Sequence, residues 1–341
     1  MREIIIKEKE AGQRLDKFLK KYLKEAPASF FYKMLRKKNI VLNGKKAEGK
    51  EKLAAGDCVK FFLSDETMEK FSGRKERSVP KTKEEAGILP DLVYEDEQVL
   101  LINKPAGLLS QKANAGDISL VEAITFYLIQ SGQLKEEELH TFRPAVCNRL
   151  DRNTSGLVAA GKSLAALRML NQAFRERSIE KWYLCIVKGC IRNSGHIRGR
   201  LTKDERTNQV KILAADDLTA SGTKIETAYE PVAWNREMTL LSVHLITGKT
   251  HQIRAHLSHM GHPILGDPKY GDSKFNLKYR KESGIKYQLL HAYSLTFPVM
   301  GPPLQKVSQK TFRAPVPADF WKIIKETTWQ HGIQEALEVL H

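Results

Sequence analysis

The chain has 341 residues and carries 56 Lys and Arg against 40 Asp and Glu, which gives a formal net charge of +16 at pH 7. An excess of this size predicts an acidic partner, either nucleic acid or an anionic membrane surface. The longest apolar stretches are strand-length, far short of the roughly 20 residues that cross a bilayer, and the N-terminal MREIIIK lacks the features of a signal peptide. The composition therefore excludes a membrane-spanning protein and predicts a cytoplasmic protein that binds RNA.

The four cysteines show no Cys-x-x-Cys spacing and no histidine partner at zinc-finger distance. We expect reduced thiols, as in most cytosolic proteins. Cys147 lies four residues before Asp151, but a core strand explains this cysteine better than a nucleophilic role does.

Residues 1–63 are predicted to form a small basic α+β domain. Apolar residues spaced i, i+3, i+4, i+7 predict a helix over 15–22, and a second apolar set predicts a short helix around 31–35. The Asn43-Gly44 pair predicts a hairpin turn. The polar helix faces are basic, and the candidate RNA-binding residues on them are Arg14, Lys17, Lys33, Arg36 and Lys37.

This domain resembles the S-four-like RNA-binding domain, named after a small-subunit ribosomal protein. The matching segments are 12–19 (GQRLDKFL), 41–45 (VLNGK) and 55–57 (AGD). The resemblance implies strongly salt-dependent, weakly sequence-specific RNA binding. The chain departs from the pattern at 28–33 (ASFFYK), where the family usually has a more polar Ser-Arg start to the second helix.

Residues 64–88 are polar and charged and predict a flexible linker. From residue 89 strand-like and helical patterns alternate irregularly, which predicts an α+β catalytic domain over 89–325 with a largely antiparallel sheet. Residues 326–341 are predicted to form a helical tail.

The segment 148–157 (NRLDRNTSGL) places Asp151 between two arginines, Arg149 and Arg152, and directly before a Thr-Ser-Gly turn. Flanking guanidiniums predict that this carboxylate stays ionised, because nearby opposite charge favours the charged form. A lone aspartate in such a position is usually a solvated turn residue, so further segments are needed to support a chemical role.

Two other segments carry candidate site residues. In 247–257 (TGKTHQIRAHL), Thr250 is predicted to cap a helix that ends at Gly261, with Arg254 opposite the apolar stripe. In 180–189 (EKWYLCIVKG), strand alternation places Lys181 and Tyr183 on one face.

These three segments, with 102–108, 261–271 and 290–292, resemble the RluA-type RNA pseudouridine synthases in the family's order, over nearly all of residues 89–300. The resemblance implies the pseudouridine synthase fold, an α+β fold with a mixed, largely antiparallel sheet and a central cleft. It also implies an isomerase that flips specific uridines out of RNA and converts them to pseudouridine through Asp151-dependent cleavage of the glycosidic bond. The added N-terminal domain favours large-subunit ribosomal RNA over transfer RNA as the substrate.

The resemblance also implies individual roles. Asp151 is the catalytic residue, Arg254 pairs with it, and Tyr183 stacks on the flipped uracil near the proton on carbon 5. Arg149 helps to displace the base. The other candidate RNA-binding residues of this domain are Arg152, Lys104, Lys249, His251 and Gln252.

The chain departs from the family at three positions. It has Asn148 where His is commoner, Asn153 where Asp is commoner, and Lys249 where Arg is commoner. A lysine still neutralises a phosphate but cannot bind it bidentately. We expect the asparagines to change the surroundings of Asp151 or the opening of the RNA stem, rather than the chemistry.

Two alternatives remain open from the sequence. The first is a non-catalytic RNA-binding ribosome assembly factor. The second is a metal-dependent hydrolase built on His251, His256, His259 and His262, whose spacing does not place three imidazoles on one helical face. No metal or cofactor is expected, because isomerisation conserves atoms and oxidation state, and no obligate protein partner is evident. The sequence does not choose between nucleophilic attack and proton abstraction by Asp151.

Overall fold

The computed structural model describes residues 1–72, 88–114, 116–204, 209–214 and 222–338. Most of the predicted linker, residues 73–87, lies outside the described residues. In the described part of the chain no helix is long and apolar enough to cross a membrane.

The N-terminal unit is a four-stranded antiparallel sheet covered by helices. The strands β1 (Arg2–Ile5), β2 (Ile40–Leu42), β3 (Lys45–Lys46) and β4 (Cys58–Phe61) run in the order β1-β4-β2-β3. The helices α1 (Leu15–Tyr22) and α2 (Ala28–Arg36) bury their apolar faces against this sheet. Asn43 and Gly44 both have positive φ, as a two-residue hairpin turn of type I′ requires.

A third helix corrects the boundary predicted for the linker. Helix α3 (Asp65–Ser72) lies inside the segment 64–88 and packs on the N-terminal core, with Met68 buried and Phe71 against Phe30. Two apolar side chains, Met68 and Phe71, hold this helix on the core. The composition of the segment, which is mostly polar, did not indicate a helix.

The large unit is built on one mixed sheet of eleven strands. The strands are β5 (Leu92–Glu95), β6 (Val99–Lys104), β7 (Ala145–Val146), β8 (Ser155–Gly161), β9 (Glu180–Lys188), β10 (Gly195–Asp204), β11 (Gln209–Ala214), β12 (Thr223–Trp234), β13 (Met238–Leu245), β14 (Leu290–Thr296) and β15 (Thr311–Arg313). Their order is β11-β10-β12-β13-β9-β14-β8-β6-β5, with β15 paired to β14 and β7 to β8. All pairs are antiparallel except β14 with β8.

Helices pack on both faces of the sheet. On one face, α4 (Leu120–Gln130) and α6 (Gln252–His259) share a core with Tyr183, Cys185 and Val187 of β9. On the other face, two cores form, one with α5 (Leu164–Glu176) and one with α7 (Ser273–Ser283), α8 (Ala318–Glu326) and α9 (Ile333–Glu338). The alternation predicted for β9 is therefore present, since Leu184 and Ile186 belong to the second face.

The C-terminal residues belong to this unit rather than to a separate tail. Helix α8 begins at Ala318 and buries Phe320 and Ile323, and residues 327–332 are not helical. His331 forms a bridge with Trp234 of β12 and stacks on its ring.

The two units contact each other directly. Glu10 is buried and accepts a hydrogen bond from the Thr141 hydroxyl, and Lys7 Nζ lies 2.5 Å from Glu138 Oε1. Arg168 Nη1 donates to the carbonyl of Gly12 at 2.7 Å. These contacts join the first turns of the N-terminal unit to the surface of the large unit.

Candidate active site

Asp151 lies in the loop between β7 and β8, and hydrogen bonds fix this loop on both sides. Ser110 Oγ accepts from the amide of Leu150 and donates to its carbonyl, both at 3.0 Å. Asn148 donates to the carbonyl of Leu157 at 3.1 Å and accepts from the amide of Ala159 at 2.8 Å. The asparagine that departs from the family pattern thus anchors the loop to β8.

The predicted Thr-Ser-Gly turn is not present, because β8 begins at Ser155 and Gly156 is its second residue. Gly156 has φ of +110°, and a Cβ at this position would lie 2.3 Å from the carbonyl oxygen of Ala292 on β14. Only glycine permits this close approach of β8 to β14, and the approach brings the Asp151 loop against the centre of the sheet.

Arg254 on α6 is the side chain that binds Asp151. Its Nη1 donates to Asp151 Oδ2 at 2.8 Å, although the two residues come from distant segments. The helix begins differently from the prediction, because its N-cap is His251 in the left-handed conformation, with φ of 56°, rather than Thr250. The sequence predicts Arg254 opposite the buried stripe, but almost the whole helix is buried.

Asp267 is a site residue that the sequence analysis missed. Arg254 Nε and Nη2 donate to its two carboxylate oxygens at 2.7 and 2.9 Å. Asp267 also accepts from the amides of Lys269 and Tyr270. In sequence, the segment 261–271 matches the family only as a loop, and its Gly266-Asp267-Pro268 phrase is the available indication of this role.

The three charges form a chain from Asp151 through Arg254 to Asp267. Burial opposes the charge on Arg254, but hydrogen bonding to Asp267 and the two carboxylate charges raise its pKa overall. Burial likewise opposes the charge on Asp267, while the bonds from Arg254 lower the pKa of this carboxyl. Arg254 is therefore a permanent, pre-oriented cation at Asp151.

The arginines that flank Asp151 in sequence are not its partners. Arg149 and Arg152 are both exposed, and Arg152 Nε donates to the carbonyl of Gly107 at 3.1 Å. Among the described residues, the arginine that forms an ion pair with Asp151 within 4 Å is instead Arg254.

Tyr183 and His251 lie beside Asp151. Tyr183 is 7% exposed, and burial together with the charge of Asp151 raises the pKa of its hydroxyl. His251 Nε2 lies 3.8 Å from Asp151 Oδ2, and its Nδ1 shares a 3.0 Å hydrogen bond with the Tyr270 hydroxyl. Burial lowers the pKa of His251 although Asp151 opposes this, so the ring is neutral at neutral pH.

Two residues predicted to bind RNA are buried instead. Lys104 is 0% exposed, and its Nζ donates to the carbonyls of Pro105, Leu108 and Arg152 at 2.9, 2.8 and 3.1 Å. Gln252 is 2% exposed and bonds to both Thr247 and Thr227. Each polar group already has protein partners, although Gln252 also lines the cleft, and the RNA contacts of both residues stay predictions.

These residues surround a cleft of about 830 Å³. Among the described residues that line it, Asp151 carries the one carboxylate, whereas seven others are cations. The cations are Arg149, Arg152, Arg175, Arg177, Lys181, Lys249 and Arg254. The cleft is therefore suited to a polyanion, and Lys249 is an exposed residue of its lining.

The five candidates of the N-terminal unit are all exposed: Arg14, Lys17, Lys33, Arg36 and Lys37. Arg14 forms an ion pair with Asp16 at 2.6 Å, and Tyr32 donates to the same carboxylate. The predicted basic surface is thus present on α1 and α2, while its contact with RNA stays a prediction.

The histidines do not form a metal centre in the described residues, where no group of His, Cys, Asp and Glu could hold an ion. His256 is fully buried, and burial lowers its pKa to about 4. Cys147 lines the cleft, but burial raises the pKa of its thiol to about 12, so that it stays protonated.

Comparison with known proteins decides the family. Residues 98–259 match the family model described as RNA pseudouridylate synthase. The chain is 33% identical over 295 residues to the ribosomal large subunit pseudouridine synthase C of Vibrio vulnificus, covering 86% of this chain and 87% of that protein. The chain belongs to the RNA pseudouridine synthase family. It is 31% identical over 291 residues to the Escherichia coli strain K12 protein of the same name, covering 84% of this chain and 86% of that protein.

Among solved structures, the fold resembles human RNA pseudouridylate synthase domain containing 4, with a TM-score of 0.52 and 20% identity over 73% of this chain and 92% of that one. The predicted family, the α+β fold and the prediction of an isomerase that acts on RNA are confirmed. The non-catalytic alternative is not favoured. The S-four-like assignment of the N-terminal unit stays a prediction.

Proposed function

We propose that this pseudouridine synthase converts specific uridines of large-subunit ribosomal RNA to pseudouridine in the cytoplasm, with Asp151 as its catalytic residue. The observation that carries the proposal is the position of Asp151, a half-buried carboxylate bound to Arg254 inside a cleft lined by cations. The names of the relatives, ribosomal large subunit pseudouridine synthase C, support the choice of RNA.

The reaction breaks the bond between uracil N1 and ribose C1′ and forms a bond between C5 and C1′. The proton on C5 is lost and N1 gains a proton, so atoms and electrons balance without a cofactor. Asp151 either attacks C1′ or removes the neighbouring sugar proton. Arg254 favours both routes, because its hydrogen bond fixes the position of the carboxylate in the cleft.

The uridine must first leave its stack, at a cost of a few kcal/mol. Arg149, which is exposed in the cleft two residues before Asp151, then fills the space that the base vacates. Tyr183 lines the same cleft and offers a ring on which the uracil stacks. Its hydroxyl, whose pKa is raised by burial, stays protonated in the free enzyme, so it takes up the C5 proton only as it passes its own proton on to the base, whose N1 gains one.

The basic surfaces of the two units supply affinity for the RNA around this cleft. The N-terminal unit presents Lys33, Arg36 and Lys37 on and just after α2. Direct contacts such as Glu10 with Thr141 hold this unit on the large one. One RNA molecule then reaches both surfaces, which favours a large structured RNA over an isolated short stem.

The test is tritium release from RNA labelled at C5 of uridine. We expect release from unmodified large-subunit ribosomal RNA and much less from unmodified transfer RNA. Sequencing of the modified product then locates the uridines. Preferential release from transfer RNA would contradict the proposed substrate but not the reaction, whereas binding without release from any RNA would favour the assembly-factor alternative.

A further inference from the structure

Lys181 is a buried cation of the cleft for which neither the family comparison nor the proposed reaction supplies a role. It lies two residues before Tyr183 on β9, lines the cleft and is 8% exposed. Among the described residues, no acidic group and no hydrogen-bond acceptor acts on the Lys181 ammonium. Burial, and then the nearby charge of Arg177, lowers the pKa of this lysine.

The contrast with two other buried lysines makes this absence informative. Lys104 donates to three carbonyls, and Lys162 lies 2.9 Å from Glu95 Oε1 and 2.6 Å from the carbonyl of Asp96. Among the described residues, Lys181 Nζ is not one of the buried side-chain polar atoms that lack a partner, so its ammonium opens into the cleft that the residue lines.

The surroundings of Lys181 add positive charge. Arg177 is the left-handed C-cap of α5, with φ of 61°, and both it and Arg175 are exposed and line the cleft. Of the acidic neighbours, Glu176 is bonded to Gln172 at 2.9 Å. Glu180 is exposed and, by strand alternation, lies on the face opposite Lys181.

We propose that Lys181 and Arg177 form a phosphate-binding subsite that holds one phosphodiester of the RNA strand beside the target uridine. The proposal rests on the cleft being the RNA site. A phosphate would supply the negative charge that Lys181 lacks among the described protein groups. It would also accept a charge-assisted hydrogen bond from each of the two side chains. Because Lys181 and Tyr183 share one strand, the subsite would also fix the strand relative to the stacked base.

The test compares Lys181→Met with Lys181→Arg, Arg177→Asn and a control, Lys188→Met. Asn is chosen at position 177 because it tolerates the left-handed conformation. Lys188 lies on the same strand outside the cleft, where it pairs with Asp272 at 2.7 Å. For each protein, affinity for unmodified large-subunit ribosomal RNA is measured against salt concentration, together with kcat, KM and Tm.

We expect Lys181→Met to reduce the magnitude of the log–log salt slope by about 0.7, the value for one single-strand phosphate. KM should rise while kcat changes by less than about twofold. The Tm of the free protein should change little, because Lys181 has no hydrogen bond or ion pair to lose. Lys181→Arg should retain the slope, and the control should leave slope and KM unchanged.

An unchanged salt slope in both Lys181→Met and Arg177→Asn would overturn the subsite, and so would a lower Tm of Lys181→Met with unchanged RNA affinity. If Lys181→Met does not fold, Arg177→Asn alone decides, since Arg177 is exposed. Failure of the wild type to release tritium would count against the proposed reaction instead, because the salt slope is measured without turnover.

Discussion

Arg254 binds Asp151 with one edge of its guanidinium and Asp267 with the other. Nη1 lies 2.8 Å from Asp151 Oδ2, and Nε lies 2.7 Å from Asp267 Oδ2. The position of the counter-ion of Asp151 is therefore set by a second, fully buried carboxylate that does not line the cleft. The three charged side chains come from three separate segments, and each depends on the others for its position.

Arg254→Lys should show whether the arrangement of Asp151, Arg254 and Asp267 needs a guanidinium. A single ammonium keeps the charge but cannot bond to both carboxylates with fixed geometry. We expect kcat to fall by about 10²–10³-fold and Tm to fall, while RNA affinity changes little. Single-turnover tritium release and thermal unfolding measure the two effects. Arg236→Lys, at an exposed position, is the control, and wild-type kcat in Arg254→Lys would contradict the prediction.

Asp267→Asn should weaken the fold in a pH-dependent way. Bonds from Arg254 lower the pKa of Asp267 against the effect of burial. This carboxylate therefore contributes stability that is present above its unfolded pKa of about 3.9 and is lost as pH falls through the lower folded pKa. We expect a loss of about 3–5 kcal/mol at pH 7.

Urea unfolding of both proteins between neutral and acidic pH measures this difference. The gap between wild type and Asp267→Asn should narrow once the pH falls below about 4. A gap that is independent of pH would show that the carboxylate charge is not what stabilises the site. Asp65→Asn, at the exposed start of α3, controls for general charge effects.

Lys104→Met should show whether Lys104 stabilises the fold or binds RNA. Because Nζ satisfies three carbonyls, its loss should cost about 1–3 kcal/mol of stability. The salt slope of RNA binding should stay at the wild-type value, in contrast to the slope of Lys181→Met. A smaller salt slope of RNA binding in Lys104→Met would show that Lys104 contacts RNA, as the sequence predicts.

The lowered pKa of Lys104 predicts that its contribution to stability depends on pH. Burial lowers the pKa of Lys104 from 10.5 to about 7. Between these values the unfolded chain binds more protons, so the contribution of Lys104 to the free energy of unfolding rises with pH. The difference in stability between wild type and Lys104→Met should therefore grow from about pH 7 upward, as urea unfolding would measure; a constant difference would contradict the assignment.

Tyr183→Phe keeps the ring and removes the hydroxyl. Since stacking needs only the π-face, RNA affinity should stay within about twofold of wild type. If the hydroxyl handles the C5 proton, tritium release should fall by about 10²–10⁴-fold. Release at the wild-type rate would limit Tyr183 to stacking.

The N-terminal surface is tested by replacing Lys33, Arg36 and Lys37 together with glutamine. We expect the salt slope to fall in magnitude by about 2, as for three phosphates, with kcat on saturating RNA unchanged. The control replaces three exposed basic residues of α7, Lys274, Arg280 and Lys281. Equal effects in the two variants would remove the evidence for a dedicated RNA-binding surface.

Much of the site could be predicted because its segments carry local patterns. Strand alternation placed Tyr183 correctly, and the family's phrases brought Asp151 and Arg254 together. Burial of polar side chains was not predictable in this way. Lys104 and Gln252 resemble surface residues in sequence, and only the tertiary structure surrounds them with carbonyl and hydroxyl partners.

The partner of Arg254 was missed for the same reason. Asp267 stands in a Gly- and Pro-rich loop, where aspartate is usually a turn residue. Its role depends on a fold that carries this loop under α6. Helix α3 was missed because its two apolar side chains, Met68 and Phe71, are too few to set a pattern.

The measurement that tests the central claim most directly is C5 tritium release from unmodified large-subunit ribosomal RNA by wild type, Asp151→Asn and the control Asp91→Asn. Asn keeps the shape of Asp151 but cannot act as a nucleophile or base, and Asp91 is an exposed residue of the same unit. The account predicts release by wild type and control, none by Asp151→Asn, and similar RNA affinity for all three. Release by Asp151→Asn at a rate comparable to wild type would contradict it.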